Sequence, residues 1–249
     1  MMLHVKVILL ILVYFTIGAV LIAIINKQKK DPVANRERWI KYAMYLLIVG
    51  IIVFSMIYLL EFFGLAFKLI GIVILIMAFN ELLGIWSEYE AHKTRPLVIG
   101  LLTLTLFSIG FFMYSCMWNS PFQLLVYVFV FTFDGFSQLA GQLFGKHKFA
   151  SKISPNKTLE GLIGGFLLTC VTGLFLLNHY PFSFVLVTCT IICVAALLGD
   201  LLASYFKRLH HAKDFGRSLP GHGGFLDRFD SFIAAGAIYW FISELTAYF

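Results

Sequence analysis

The segment Ser204-Tyr-Phe-Lys207-Arg208-Leu-His-His-Ala-Lys213-Asp214-Phe-Gly-Arg-Ser-Leu-Pro220-Gly-His222-Gly223-Gly224-Phe-Leu-Asp227-Arg228-Phe-Asp230 stands between two long apolar runs. Charges of both signs, three histidines and four glycines crowd into it, whereas residues 182–199 and 231–243 on either side carry no charge. A polar stretch so sharply set off reads as a loop at the ends of two membrane helices. A plain connector, however, does not need acids and Lys/Arg alternating at fixed offsets from a glycine pair. Cations for phosphate oxygens, carboxylates for a metal and glycines for close backbone approach are what phosphoryl or nucleotidyl transfer requires.

Working outward, the same contrast governs the whole chain. Its 249 residues are 60% hydrophobic and 13% charged, with a mean hydropathy of +0.90, against about 25% charged in ordinary soluble proteins. This excludes a soluble domain and predicts an all-α, polytopic integral membrane bundle. The four cysteines, Cys116, Cys170, Cys189 and Cys193, all sit in apolar runs without a C-x-x-C pair, so they read as buried filler, not as a metal or disulfide framework. The net charge of +6 is patchy, which points to phosphates at a membrane surface and away from nucleic acid.

A spanning helix needs roughly 20 apolar residues. Eight candidates meet or approach this: Val7–Ile25, Tyr42–Leu60, Leu69–Ile85, Leu97–Trp118, Phe122–Phe133, Gly161–Leu177, Phe182–Gly199 and Ser231–Phe249. Glu81 interrupts the third and Glu244 the last, leaving these two the least clean. The distribution of basic residues tests the count. Of nineteen Lys and Arg, only Lys6 and Lys68 fall outside the connections after the first, third, fifth and seventh spans. Eight spans therefore put every basic loop on one face, the cytoplasm, with both termini opposite. The first segment is expected to be a retained helix and not a cleaved signal, because six basic residues follow it and one precedes it. No internal repeat is evident. The expected organisation is one continuous membrane domain, with N-terminal helices over 1–133 and a catalytic region with cytoplasmic loops over 134–249.

Three polar clusters share the cytoplasmic face. Asp134 and Asp200 each close a long apolar run, and an acid at the bilayer centre costs roughly 2.5–3.5 kcal/mol, which makes such residues functional candidates. Interfacial solvation is the plain alternative for Asp134. On a continuing helix Asp200, Ser204, Lys207/Arg208 and His211 share one face, a carboxylate, hydroxyl and cation stripe suited to a metal-bound polyphosphate. Asp227 and Asp230, three apart in a helix starting near Phe225, are a carboxylate pair able to share Mg²⁺ with Asp200; capping is the competing account of Asp230. Gly223 and Gly224, between Lys213 and Asp227-Arg228, are expected to let backbone N–H groups wrap a phosphate, with His222 as a further phosphate donor. Ser154-Pro155-Asn156-Lys157-Thr158 opens another helix, where capping and phosphate binding are both consistent with the residues. Gly161, Gly164 and Gly165 read as close-packing positions.

These motifs resemble the C-terminal signature of the phosphatidate cytidylyltransferases: Ser, Lys-Arg, Lys-Asp, His-Gly-Gly, Asp-Arg and a final Asp at the spacings found here. The Ser-Pro-x-Lys-Thr segment followed by an acid and a glycine is similar to that family's second recurrent segment. The resemblance is expected over Asp134 to Asp230, with nothing beyond hydropathy matching in the first part of the chain. It implies reaction of CTP with phosphatidate to give CDP-diacylglycerol and pyrophosphate, with Mg²⁺ and a second cation left open. Catalytic roles then fall to Asp200, Asp227, Lys207 and Arg208, and metal binding to Asp200, Asp227 and Asp230. Substrate binding falls to Asp134, Ser154, Asn156, Lys157, Thr158, Ser204, Lys213, His222, Gly223, Gly224 and Arg228. The expected partners are CTP, phosphatidate or a related lipid phosphate and membrane lipids, with a homodimer left open and a cell inner (plasma) membrane location, the site facing the cytoplasm. One departure stands out: where the family commonly has Asp-Thr-x-Ala-Tyr, this chain has Asp134-Gly-Phe-Ser-Gln, which bears on lipid selectivity more than on metal chemistry. Transfer to a polyprenol or isoprenoid phosphate is the neighbouring reading. An ion or lipid-phosphate transporter is the rival of another class, disfavoured by the clustering of charge at one face and the lack of repeated halves.

Overall fold

The computed structural model describes residues 2–28, 32–57, 65–88, 94–117, 121–216, 218–219 and 223–247. Eight α-helices follow in order: α1 (Leu3–Gln28), α2 (Pro32–Ile57), α3 (Leu65–Glu88), α4 (Thr94–Cys116), α5 (Pro121–Phe144), α6 (Leu159–Leu176), α7 (Phe182–Leu209) and α8 (Leu226–Ala247). The first seven are long and apolar enough to cross a membrane; α8, with charges in its first turn and Glu244 near its end, falls short on composition alone. The polytopic helical bundle read from the sequence is the fold.

Several boundaries differ from the hydropathy reading, each for a local reason. Neither Glu81 nor Glu244 interrupts its helix: α3 runs through the first and α8 through the second. The amphipathic continuation of α5 to Phe144 places Asp134 inside the helix and not at its end. Similarly α2 begins at Pro32, ten residues before the apolar run, so Arg38 and Lys41 are helical. Proline is well tolerated in a first turn, where its missing N–H has no intrahelical partner.

α5 and α6 form the most extensive interface. A Cβ at Gly165 would lie 2.0 Å from Ser137 Oγ and 2.7 Å from the Phe133 carbonyl oxygen, so glycine here is what lets the two backbones meet. α8 packs against α7 and α4 around a buried ring cluster in which Phe232 contacts Phe111, Tyr114 and Tyr127 at centroid distances of 5.0–5.9 Å. At the α4–α5 joint the Tyr114 hydroxyl donates to the Gln123 carbonyl and Gln123 Nε2 donates to the Tyr114 carbonyl, each at 2.6 Å.

The C-terminal parts of α1, α3, α5 and α7 and the N-terminal parts of α2, α6 and α8 meet at one end of the bundle. Lys6 marks the other end: its ammonium donates to Asn178 Oδ1 at 2.8 Å and to the Phe175 carbonyl at 3.3 Å. A cation on the last carbonyls of α6 is favourable against the helix dipole, which accounts for a lysine outside the basic loops. All four cysteines are free thiols, and Cys189 and Cys193 are buried.

Candidate active site

At that end a cavity of about 600 Å³ opens among α1, α2, α5, α6, α7 and α8. Asp134, Asp200 and Asp230 line it from three different helices, and Asn156, Lys157 and Thr158 close one side. Lys157 pairs with Asp200, and Ser204 Oγ donates to Asp200 Oδ1 at 3.2 Å. The stripe read on α7 therefore exists as far as Lys207. His211 is not part of it: α7 ends at Leu209 and His211 adopts a left-handed φ of 56°. The His211 N–H reaches the Arg208 carbonyl and the Ala212 N–H the Lys207 carbonyl, a Schellman-type stop that turns the chain away.

Asp227 is held by three donors. Its Oδ1 accepts from Lys207 Nζ at 2.6 Å, and its Oδ2 accepts from the backbone N–H groups of Phe215 at 2.7 Å and Gly224 at 2.9 Å. Both partners of the ion pair are buried, with side chains 10% and 5% exposed, and Lys207 also sits 5.2 Å from the centre of the Phe215 ring. Asp227 thus ties the end of α7, the middle of the loop and the start of α8 together.

The glycine pair serves the same closure. Gly223 has a φ of +80°, and a Cβ there would stand 3.0 Å from Asp227 Oδ2; a Cβ on Gly224 would lie 2.4 Å from Glu81 Oε2. The Gly224 N–H is directed at a carboxylate, not outward to a phosphate. Glu81, which the hydropathy reading treated as a flaw in a span, is 8% exposed and reaches in from α3. Its Oε1 accepts from Ser218 Oγ at 2.7 Å and the Phe225 N–H at 2.8 Å, and its Oε2 from the Leu226 N–H at 2.8 Å.

Other anticipated residues take different places. Arg208 donates from Nε to the Ile153 carbonyl at 3.1 Å and from Nη1 to the Ala212 carbonyl at 3.0 Å, strapping the α5–α6 connection to the end of α7. Thr158 is the N-cap of α6, accepting from the Gly161 N–H at 3.1 Å. Glu160 closes that connection by accepting from the backbone N–H of Lys146 at 3.0 Å and pairing with His147 Nδ1 at 2.5 Å. Lys213 is exposed, and neither it nor Ser154 lines the cavity. Gln138 does line it, whereas Phe136 packs edge-on against Tyr14 of α1 at 4.8 Å. His222 lies outside the described residues, as do Gly221, Arg217 and the loop lysines Lys29, Lys30 and Lys93. Two cavity residues were counted only as topology signals: Arg38 and Lys41 of α2.

In all, five cationic side chains (Arg38, Lys41, Lys157, Lys207, Arg228) and four acids line the cavity. Asp134, Asp200 and Asp230 line the same cavity, where ionised carboxylates repel one another. A hard divalent cation would relieve that repulsion, so the donor set fits Mg²⁺. Among the described residues no three His, Cys, Asp or Glu side chains form one metal cage. A cation bound here would take one or two carboxylates and complete its shell from phosphates and water, the usual manner of Mg²⁺.

Compared with known proteins, residues 1–246 match the sequence profile described as the cytidylyltransferase family. The chain belongs to this family. It is 36% identical over 185 residues to a phosphatidate cytidylyltransferase of Rickettsia bellii, covering 70% of this chain and 80% of the relative. It is 30% identical over 230 residues to one of Rickettsia typhi, covering 88% and 98%, and 39% identical over 139 residues to one of Staphylococcus haemolyticus, covering 53% and 54%. The relationship is thus not confined to the C-terminal half, as the motifs alone implied. Helices α1–α4 belong to it too, in keeping with the parts that Arg38, Lys41 and Glu81 play at this site.

Proposed function

We propose that the chain transfers the cytidylyl group of CTP to phosphatidate, forming CDP-diacylglycerol and pyrophosphate on the cytoplasmic side of a bacterial inner membrane. One structural observation carries the lipid half of this reading. Asp230 lines both the polar cavity and an apolar groove among α4, α7 and α8, walled by Ile99, Thr103, Leu202, Ala203 and Ile233. A site where a charged chamber meets a lipid-facing groove fits an amphiphile whose phosphate and acyl chains need opposite surroundings.

In the reaction a phosphate oxygen of phosphatidate attacks the α-phosphorus of CTP. The bond from that phosphorus to the α–β bridging oxygen breaks, and pyrophosphate leaves with the electron pair. The nucleophile is already ionised and needs no strong base. The work of the protein is alignment and charge neutralisation. Lys157, Lys207, Arg228, Arg38 and Lys41 supply positive charge to the phosphates and Asn156 a neutral donor, while Ser204 holds Asp200. Arg208 and Thr158 act by holding the loops, and Asp227 by holding Lys207 and the start of α8. Mg²⁺ on Asp200 and Asp230, beside Asp134, would neutralise triphosphate oxygens when bound.

The test is purified protein in detergent with labelled CTP, Mg²⁺ and, separately, phosphatidate, polyprenyl phosphate and lysophosphatidate. CDP-diacylglycerol from phosphatidate is the expected product. Product from polyprenyl phosphate with none from phosphatidate would overturn the acceptor, and pyrophosphate release without any lipid would overturn the transfer itself.

A further inference from the structure

We infer that Glu81 is a positioning residue: from α3, it caps the N-terminus of α8 in place of a local cap and thereby sets the register of the helix turn that carries Asp227, Arg228 and Asp230. The first N–H groups of a helix have no intrahelical partner and ordinarily take a Ser, Thr, Asp or Asn oxygen from the N-cap residue. In α8 the N-cap position is held by Phe225, whose carbonyl accepts the first helical bonds from Arg228 and Phe229 and whose side chain offers no acceptor. The missing oxygens come from Glu81, which takes the N–H groups of Phe225 and Leu226, one on each carboxylate oxygen.

Two further observations point the same way. Among the described residues, the positive end of α8 and the Ser218 hydroxyl are what meet the Glu81 carboxylate. The loop has also left room for it, since a Cβ at Gly224 would meet its Oε2 at 2.4 Å and one at Gly216 its Oε1 at 3.2 Å. Glu81 touches none of the cavity itself. Its effect on turnover passes through Asp227, which fixes Lys207, and through Asp230.

This inference rests on the proposed transfer reaction, and its test separates the two. Glu81→Gln keeps the size but has one acceptor oxygen where three donors converge. Hydrogen exchange of the substrate-free protein should show amides of 213–230 exchanging at least about tenfold faster, with α5 and α6 as protected as before. In the CTP and phosphatidate assay kcat should fall about tenfold or more while KM for CTP changes less than about threefold, because the Lys157 side of the cavity is untouched. Glu81→Asp, which restores both oxygens at shorter reach, should recover part of kcat. Gly224→Ala, with Glu81 intact, should give the same exchange and kcat pattern, and the double variant Glu81→Ala/Gly224→Ala should lose less than the two single losses combined. Wild-type kcat in Glu81→Gln, or a kcat loss with unchanged loop exchange, would overturn the inference. If Glu81→Gln does not fold, wild-type kcat in Gly224→Ala overturns it instead. A wild type inactive on phosphatidate would refute the acceptor, while the exchange experiment would still decide the role of Glu81.

Discussion

Replacing Asp227 with Asn is expected to reduce turnover by about a hundredfold or more and to lower stability as well, without rescue by added Mg²⁺ or Mn²⁺. An amide presents one acceptor oxygen to Lys207 Nζ and to the N–H groups of Phe215 and Gly224, where the carboxylate presents two. It also strands a buried ammonium, and breaking a buried pair from one side costs about 3–5 kcal/mol. A loss of this kind appears in kcat and in the melting temperature, with the Mg²⁺ concentration for half-maximal rate unchanged. If instead the variant kept its stability and recovered activity at high Mg²⁺, Asp227 would be a metal ligand and its hydrogen bonds secondary.

Asp200→Asn is expected to show the opposite signature. Asp200 is 28% exposed, pairs with Lys157 and, among the described residues, receives only the Ser204 hydroxyl besides. Removing its charge should leave the fold intact, slow turnover about a hundredfold, and raise the Mg²⁺ requirement at least about tenfold. Lys157→Met in the same assay should raise KM for CTP without altering the Mg²⁺ requirement. An Asp200→Asn enzyme with ordinary rate and metal dependence would remove Asp200 from the proposed metal site.

The two acids were indistinguishable as sequence, and the reason bears on what a sequence of this kind reveals. Apolar run length depends on the bilayer, a uniform solvent, so eight helices were legible. Helical periodicity likewise put Asp200, Ser204 and Lys207 on one face. Periodicity says nothing of what another helix presents to that face. Arg208 lies one position from Lys207, yet it turns to the carbonyls of Ile153 and Ala212. The glycine pair looked like a phosphate cradle because glycine permits close approach, but the group that approaches is a protein carboxylate. Glu81 was visible as an acid in an apolar run, the ordinary mark of a functional membrane residue. Its importance was obscured by treating it as an interruption of a span. Arg38 and Lys41 were hidden by the same emphasis, since α2 continues well beyond its apolar part.

The contact between Glu81 and Leu226 spans 145 residues, and this has a consequence for the order in which the protein is made. On a ribosome α3 emerges well before α8. Until α8 arrives, Glu81 lacks the backbone donors of Phe225 and Leu226. The loop that carries Lys213 and Gly224 likewise waits for Asp227. A chain that stops between α7 and Phe225 therefore has the walls supplied by α1, α2, α5 and α7 but lacks the residues that close the site, and is expected to be inactive.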